Sequence, residues 1–216
     1  GSFSTLSEVS TRLRIDLGYL GTNFSGWAIQ PGLRTVQGSL EEALAIALRC
    51  DRKLVTLVVA GRTDAGVHAL HQVCHVDIPE GVKLGNLESL QKRVQGTLRT
   101  DDIALHQISL APEGFEARFS ALSREYEYRI DDRSSKRNPL HHLFTYRSPD
   151  HHAVNRIRTI SQSQRALSSP HTRQRLVVGY ANTTVHLNRI VNHSHRLMVA
   201  FHSVARVVHS SAVSTL

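Results

Sequence analysis

Alternation of apolar and polar positions near the start of the chain predicts a β-strand. Leu13, Ile15, Leu17 and Tyr19 are each separated by one other residue, which is the period of a strand with one buried face. The valine-rich run 54–60 predicts a buried strand that ends at Gly61. Similar patterns predict further strands at 73–78, 103–110 and 122–130.

Two segments with helical spacing lie between these strands. Thr35 is suited to cap a helix over 36–48, where apolar residues recur at intervals of three and four. The segment 87–98 has the pattern of a second helix. Strands and helices therefore interleave, and the sequence predicts an α/β (α+β) fold.

The distribution of charge divides the chain near residue 150. The net charge is +8, yet residues 1 to 150 hold 18 basic and 18 acidic side chains. Residues 151 to 216 hold eight arginines, eight of the 14 histidines, nine serines and one glycine, but no lysine, aspartate or glutamate. A basic excess suggests a polyanionic partner, and here it belongs entirely to the last third.

This last segment has two interpretations. A stretch so rich in Arg, His and Ser, without acidic residues, is consistent with translation out of frame. The competing interpretation is a basic RNA-binding extension, because arginine-rich segments neutralise phosphate and can become ordered on binding. The valine pairs at 177–178 and 207–208 favour some strand. His193 and His195 lack a neighbouring Cys or carboxylate, so no metal site is predicted there.

The run 61–68, G-R-T-D-A-G-V-H, carries the clearest chemical signal. Asp64 follows a predicted buried strand and lies between two glycines, a setting that presents a carboxylate to a cleft. Arg62 lies two residues away. The alternative interpretation is an Asx-type turn made by Asp64, with Arg62 as its surface ion-pair partner.

Two further segments carry more than packing information. The segment 19–30, Y-L-G-T-N-F-S-G-W-A-I-Q, contains the one Trp of the chain, and is followed by T-V-Q-G at 35–38. Phe24 and Trp27 are expected mainly to pin this loop. The segment 118–128, R-F-S-A-L-S-R-E-Y-E-Y, places Tyr126 and Tyr128 on one strand face, where they could stack on a base or simply pack in the sheet.

In their order along the chain, these four motifs resemble the tRNA pseudouridine synthase A family, which modifies the anticodon stem and loop of tRNA. The resemblance covers about residues 11 to 147. Within it, Leu20 stands where the family usually has Asp. The resemblance implies that Asp64 is the catalytic aspartate, that Tyr126 packs on the target base, and that Arg62 lies near the extruded nucleotide.

The implied reaction suits these residue types. Converting uridine to pseudouridine breaks the glycosidic bond and joins carbon 5 of the base to the sugar, with no net redox change. The family therefore implies neither a cofactor nor a metal. An ionised aspartate can act as the nucleophile or abstract a proton. The target base is stacked in RNA, so it must be extruded, and a tyrosine offsets part of that cost.

The resemblance also implies a fold and partners. The family has two similar α/β halves, each an antiparallel sheet with flanking helices, and forms a homodimer that binds tRNA. The segment 200–206, A-F-H-S-V-A-R, is one residue shorter than the family motif that brings a second basic residue to the site; Arg206 is the candidate for that residue. No signal pattern and no run of about 18 apolar residues occurs, so we expect a cytoplasmic protein without a membrane segment.

The expected domain division follows from these observations: residues 1–10 form an N-terminal tail, 11–148 the catalytic half, and 149–216 an atypical segment in place of the second half. Two functions are consistent with it. One is a tRNA pseudouridine synthase acting at about positions 38 to 40 of tRNA on an extruded uridine. The other is a non-catalytic or frameshifted remnant that keeps the first half's fold and at most binds RNA.

Overall fold

The computed structural model describes residues 10–131, 138–147, 172–178, 181–186 and 203–209. Side chains are described for residues 10–122 and for most of 138–147; for the other ranges the description is of the backbone. Residues 1–9 of the expected N-terminal tail and most of the segment 149–216 lie outside the described residues, so the domain division stays a prediction.

The described residues form a mixed sheet and two α-helices. The helices are α1 (Val36–Leu48) and α2 (Leu87–Leu98). Short 3-10 helices cover Gly21–Asn23, Arg52–Leu54 and Pro139–Phe144. The strands, in chain order, are β1 (Ser10–Tyr19), β2 (Leu57–Val59), β3 (His68–Pro79), β4 (Ile103–Leu110), β5 (Ala121–Asp131), β6 (Tyr146–Arg147), β7 (Thr172–Val178), β8 (Ala181–His186) and β9 (Ser203–His209).

The sheet runs in the order β4-β1-β3-β9-β5-β7-β8. β1 is antiparallel to both of its neighbours, β3 and β4. The other edge of β3 is divided between two partners: β2 pairs antiparallel with Cys74–Val76, and β9 pairs parallel with the residues from His68 to His71. The predicted α/β class, with a largely antiparallel sheet and flanking helices, is confirmed.

Both helices pack against one face of the sheet and enclose the main core. The side chain of Thr35 accepts a hydrogen bond from the Gly38 amide and caps α1, and Asn86 caps α2 in the same way through Ser89. The apolar residues of both helices face the inner residues of the sheet. The largest fully buried side chains in this core include Trp27, Leu13, Ile15, Leu17, Leu40, Leu44, Ile78, Leu90 and Ile103.

The expectation of a strand over 54–60 was wrong at its start. Leu54 ends a 3-10 helix, because the Asp51 side chain accepts a hydrogen bond from the Lys53 amide and caps that turn. The strand is limited to Leu57–Val59, although the Ala60 amide just beyond it also donates to the Val73 carbonyl of β3 at 2.9 Å. The strand expected at 73–78 begins earlier, at His68, because its first residues pair with β1 and β9.

Strands also occur beyond residue 149. The two valine pairs fall in β7 and β9, as their composition favoured. β9 lies between β3 and β5 in the sheet, so its backbone joins the two parts of the sheet on either side of it.

Candidate active site

Asp64 lies in the connection between β2 and β3, residues 60–67, which we call the Asp64 loop. The amide of Val67 donates a hydrogen bond to the carbonyl oxygen of Asp64 at 3.2 Å and closes a turn. Gly66 in this turn has a φ of 78°, a conformation that glycine adopts without strain. The side chains of Arg62 and Asp64 are both exposed, whereas that of Thr63 between them is buried.

The turn is therefore closed by backbone and not by the Asp64 carboxylate. Among the described residues, neither Asp64 nor Arg62 has a side-chain hydrogen bond or ion pair. The Asx-type turn and the Arg62–Asp64 ion pair that the sequence offered as an alternative are both missing from this part of the molecule. An exposed carboxylate and an exposed guanidinium are left available to a ligand.

The loop that contains Phe24 and Trp27 holds the Asp64 loop by its backbone. The amide of Trp27 donates to the carbonyl of Thr63 at 2.9 Å, and the amide of Gly66 donates to the carbonyl of Phe24 at 3.2 Å. Both aromatic side chains are buried, as expected for residues that pin a loop. A Cβ on Gly26, whose φ is 87°, would lie 2.8 Å from the Thr63 oxygen, so this close approach requires glycine.

Three buried polar side chains form hydrogen bonds to one another and to the Asp64 loop. The hydroxyl of Tyr19 lies 2.7 Å from Oγ1 of Thr63. The amide nitrogen of Gln72 donates to the Gly61 carbonyl at 2.8 Å and to the Tyr19 oxygen at 3.3 Å. These contacts join the last residue of β1 and the first half of β3 to Gly61 and Thr63, shortly before Asp64.

His68 fixes the far end of the loop. Its Nδ1 accepts a hydrogen bond from the Gly21 amide at 3.0 Å, so the ring proton lies on Nε2, which donates to the Leu143 carbonyl at 2.9 Å. The ring is 4% exposed. The last residue of the G-R-T-D-A-G-V-H run thus connects β3 to two other segments, Gly21–Asn23 and Pro139–Phe144.

Tyr126 and Arg206, the two remaining candidate residues, lie on strands that pair, directly or through one neighbour, with the start of β3. Tyr126 on β5 pairs with Ala205 on β9, which in turn pairs with Ala69, one residue after the start of β3. Two strand spacings, roughly 10 Å, therefore separate the Tyr126 and Ala69 backbones. Arg206 pairs with His71 on one side and Glu125 on the other. The side chains of Tyr126 and Arg206 lie outside the described residues.

A charged cluster occupies β1 and β3 beside this site. The Asp16 carboxylate accepts hydrogen bonds at 2.8 Å from both Arg14 and His71, and Asp16 is 6% exposed. Burial raises the pKa of Asp16, but the hydrogen bonds from Arg14 and His71 outweigh it, so its pKa lies below the ordinary value. His106 packs edge-on against His71, with ring centroids 5.6 Å apart.

The described residues offer no clear metal site. Within them, no group of three or more His, Cys, Asp or Glu side chains could hold a metal ion. His193 and His195 are outside the described ranges. An open groove of about 760 Å³ lies between α1 and α2, lined by Arg49, Lys83 and Arg93 among others. None of its lining residues belongs to the Asp64 loop, so this groove is separate from the candidate site.

Sequence patterns missed the polar residues that support the loop. Tyr19 was predicted as the last apolar position of a strand and the first residue of the segment 19–30, and Gln72 lies just before the segment predicted as β3. Gln72 and Thr63 are polar, yet both are buried: Gln72 is 1% exposed and Thr63 is 8% exposed. A buried polar side chain needs a hydrogen-bond partner, and in both cases that partner is in or next to the Asp64 loop.

Comparison with known proteins gives consistent relatives. The chain is 51% identical over 148 residues to the tRNA pseudouridine synthase A of Leifsonia xyli subsp. xyli, covering 62% of this chain and 51% of the relative. It is 53% identical over 147 residues to that of Bifidobacterium animalis subsp. lactis, covering 64% and 49%. For Frankia casuarinae the values are 53% over 146 residues, covering 67% and 50%.

These matches confirm the resemblance that the four motifs indicate. The chain spans about half the length of the curated relatives it matches. No family model matches the chain. Within the part of the chain that the structure describes, no helix is both long and apolar enough to cross a membrane.

Proposed function

We propose that this chain, which is similar over about two thirds of its length to tRNA pseudouridine synthase A proteins, isomerises uridine to pseudouridine in the anticodon stem and loop of tRNA. The observation that carries the proposal is the setting of Asp64. Its carboxylate is exposed and unpaired among the described residues, while the backbone on both sides of it is fixed by neighbouring segments.

In the proposed isomerisation of uridine to pseudouridine, one carboxylate takes part in the chemistry. The bond between N1 of uracil and C1′ of the ribose breaks, and a bond between C5 and C1′ forms. The hydrogen on C5 leaves as a proton and N1 gains one, so atoms and electrons balance without an oxidant or reductant. Asp64 is the nucleophile in this scheme, and the reaction uses no cofactor and no metal.

Arg62 and Tyr126 bind the substrate in this proposal. Arg62 is exposed two residues from Asp64 and has no partner among the described residues, so its guanidinium is free to contact the extruded nucleotide. Tyr126 lies two strands from the start of β3, and its ring packs on the target base. Arg206, in register with His71, supplies a second basic group at the same level of the sheet.

The substrate class follows from the relatives' names and from the residue types. A stacked uridine has to leave its helix before Asp64 can reach it, at a cost of a few kcal/mol that base stacking on a tyrosine partly offsets. We propose positions about 38 to 40 of tRNA as targets of such extrusion. The active form in this proposal is a cytoplasmic homodimer.

A second candidate function is supported by the last third of the chain. Residues 151 to 216 lack acidic side chains, and the chain matches only about half the length of its relatives. A remnant that keeps the first half's fold and at most binds RNA would have this character. Sequencing the coding DNA tests its origin: continuation of the relatives' second half in another reading frame supports a frameshift, and no such continuation contradicts it.

Turnover on tRNA separates the two candidates. Uridine in tRNA labelled with tritium at carbon 5 releases its label when that carbon bonds to the sugar. We expect the unaltered chain to release tritium and Asp64→Ala to release none, while both bind tRNA equally in a filter-binding measurement.

Absence of release by the unaltered chain, with tRNA binding intact, would favour the remnant. Tritium release that persists in Asp64→Ala would show that Asp64 is not required for the reaction.

Limited proteolysis tests the proposed domain division: rapid cleavage near residue 150 that leaves a stable N-terminal piece supports a boundary at 148. A chain cut only after global unfolding would contradict that boundary.

A further inference from the structure

Three polar side chains are buried directly beneath the residues that lead to Asp64. Tyr19 is 5% exposed, Thr63 is 8% exposed and Gln72 is 1% exposed. They come from three separate parts of the chain: the end of β1, the Asp64 loop and β3. Burial of a polar group without a hydrogen bond is unfavourable, so their mutual contacts restrict where each one can lie.

Chemistry fixes the direction of each hydrogen bond that the Gln72 side chain makes. The side-chain nitrogen of Gln72 can only donate, and it donates to the Gly61 carbonyl and to the Tyr19 oxygen. Its side-chain oxygen accepts from the Val73 amide at 3.2 Å. The Tyr19 oxygen accepts from Gln72, and its hydroxyl shares a hydrogen bond with Oγ1 of Thr63 in which either hydroxyl can donate.

We propose that the side chains of Tyr19, Thr63 and Gln72 form a hydrogen-bonded clamp. The clamp fixes the backbone at Gly61 and Thr63 and thereby positions the Asp64 carboxylate. The clamp contacts the loop at two points, the carbonyl of Gly61 and the side chain of Thr63. The assignment of these residues as positioning residues rests on the proposed function of Asp64.

Asp64 depends on such support because its own side chain has none. The carboxylate is exposed and makes no hydrogen bond to a described residue, so its location is set by the backbone that carries it. A displacement of about 1 Å in a reacting group can lower a rate about 10²-fold. The three clamp side chains are buried and do not themselves face RNA, so their removal should affect the chemical step more than RNA binding.

The test combines variants that keep shape with a matched control. Tyr19→Phe and Thr63→Val each remove one hydroxyl and retain most of the side chain's volume. Gln72→Met removes the amide. Gln95→Met is the control, because Gln95 likewise bonds a backbone carbonyl and a backbone amide, those of Ile103 and Leu105, away from the Asp64 loop.

The first measurement is hydrogen exchange in the full chain without RNA. The amides of Trp27, Gly66 and Val67 bond within or onto the Asp64 loop. In the clamp variants we expect these three amides to exchange at least about tenfold faster, a change of about 1.4 kcal/mol, while the amides pairing β1 with β4 are unchanged. Unchanged exchange at the three loop amides, or equal acceleration throughout the sheet, would overturn the clamp.

The second measurement is steady-state turnover on tRNA. We expect kcat to fall about 10²-fold in Tyr19→Phe/Thr63→Val with KM unchanged, and Gln95→Met to retain the kcat of the unaltered chain. Loosened loop amides with an unchanged kcat would overturn the positioning role. If the unaltered chain does not turn over, the proposed function fails, and the exchange experiment still decides whether the clamp fixes the loop.

Discussion

The hydroxyl of Tyr19 lies 2.7 Å from Oγ1 of Thr63, which joins the last residue of β1 to the residue immediately before Asp64. The two residues are 44 positions apart in sequence. β1 is the strand at the centre of the antiparallel part of the sheet, between β3 and β4. The candidate catalytic residue is therefore attached, through one neighbour, to a well-packed part of the fold.

Close backbone contact at Gly21 predicts a strong effect of an added methyl group. A Cβ at this position would lie 2.0 Å from the Val67 carbonyl oxygen, which belongs to the Asp64 loop. We expect Gly21→Ala to lower the free energy of unfolding by about 1–3 kcal/mol, because backbone atoms on both sides must shift. Urea unfolding followed by circular dichroism measures the change.

Gly96 provides the control for that substitution. It lies within α2 and an added Cβ would meet no atom within 4 Å. We expect Gly96→Ala to raise the free energy of unfolding by about 0.4–1 kcal/mol, because alanine reduces the freedom of the unfolded chain. Equal destabilisation by both substitutions would contradict the close contact between Gly21 and Val67.

Asp16 predicts a pH-dependent contribution to stability. Burial raises its pKa, and the hydrogen bonds from Arg14 and His71 outweigh that effect, so the pKa in the folded state is lowered. Stability from this group is fully present above the unfolded-state value of about 3.9 and is lost as pH falls below it towards the folded-state pKa. At pH 7 we expect Asp16→Asn to lower the free energy of unfolding by about 1–3 kcal/mol.

Urea titrations between pH 6 and pH 2 check this sign, since the difference between the two proteins should shrink as the pH falls below about 4. Hydrogen bonds from Arg12 and Arg34 hold the pKa of Asp77 and Asp102 below the ordinary value. Both proteins share those groups, so their effect cancels in the difference. A difference that is constant or grows in acid would show that the Asp16 carboxylate is not stabilised by its neighbours.

A hydrogen bond from β2 to the Glu41 side chain connects α1 to the sheet, and we expect it to stabilise the fold. Its buried Oε1 accepts hydrogen bonds from the Leu57 amide at 2.9 Å and from the Gln37 side chain at 2.8 Å. Glu41→Ala should lower the free energy of unfolding by about 1–3 kcal/mol, because the buried Leu57 amide loses its acceptor. Glu42→Ala, which alters the exposed neighbour, is expected within about 0.5 kcal/mol of the unaltered chain by thermal or urea unfolding.

If Glu41→Ala and Glu42→Ala lower the free energy of unfolding equally, the loss in Glu41→Ala does not come from the hydrogen bond to the Leu57 amide. Hydrogen exchange at the Leu57 amide gives an independent check, since this amide should lose protection in Glu41→Ala and keep it in Glu42→Ala.

The sequence predicted elements whose signals are local and missed relationships that depend on the whole sheet. The bounds of α2 and β4 agree with the prediction, because Asn86 marks the helix start and apolar residues lie at both ends of each element. The start of β2 was misplaced because Val55 is buried without being in the strand. The pairing of β9 between β3 and β5 joins residues at least 75 positions apart, and no local pattern specifies it.

The candidate site was predicted to a similar extent. The G-R-T-D-A-G-V-H run correctly indicated that Asp64 follows a buried strand and is exposed in a glycine-containing turn. The roles assigned to Asp64, Arg62, Tyr126 and Arg206 stay predictions. The supporting contacts of Tyr19 and Gln72 were missed because they arise from the spatial proximity of the end of β1 and the first half of β3 to the Asp64 loop.

A single-turnover measurement of pseudouridine formation by Asp64→Asn tests the central claim most directly, because the amide keeps the shape of the side chain and removes its negative charge. With chain in excess over tRNA, we expect the rate to fall by about 10³-fold or more, while Asp101→Asn, at another exposed aspartate, keeps the rate of the unaltered chain. A rate for Asp64→Asn within about tenfold of the unaltered chain would show that the carboxylate is not the nucleophile.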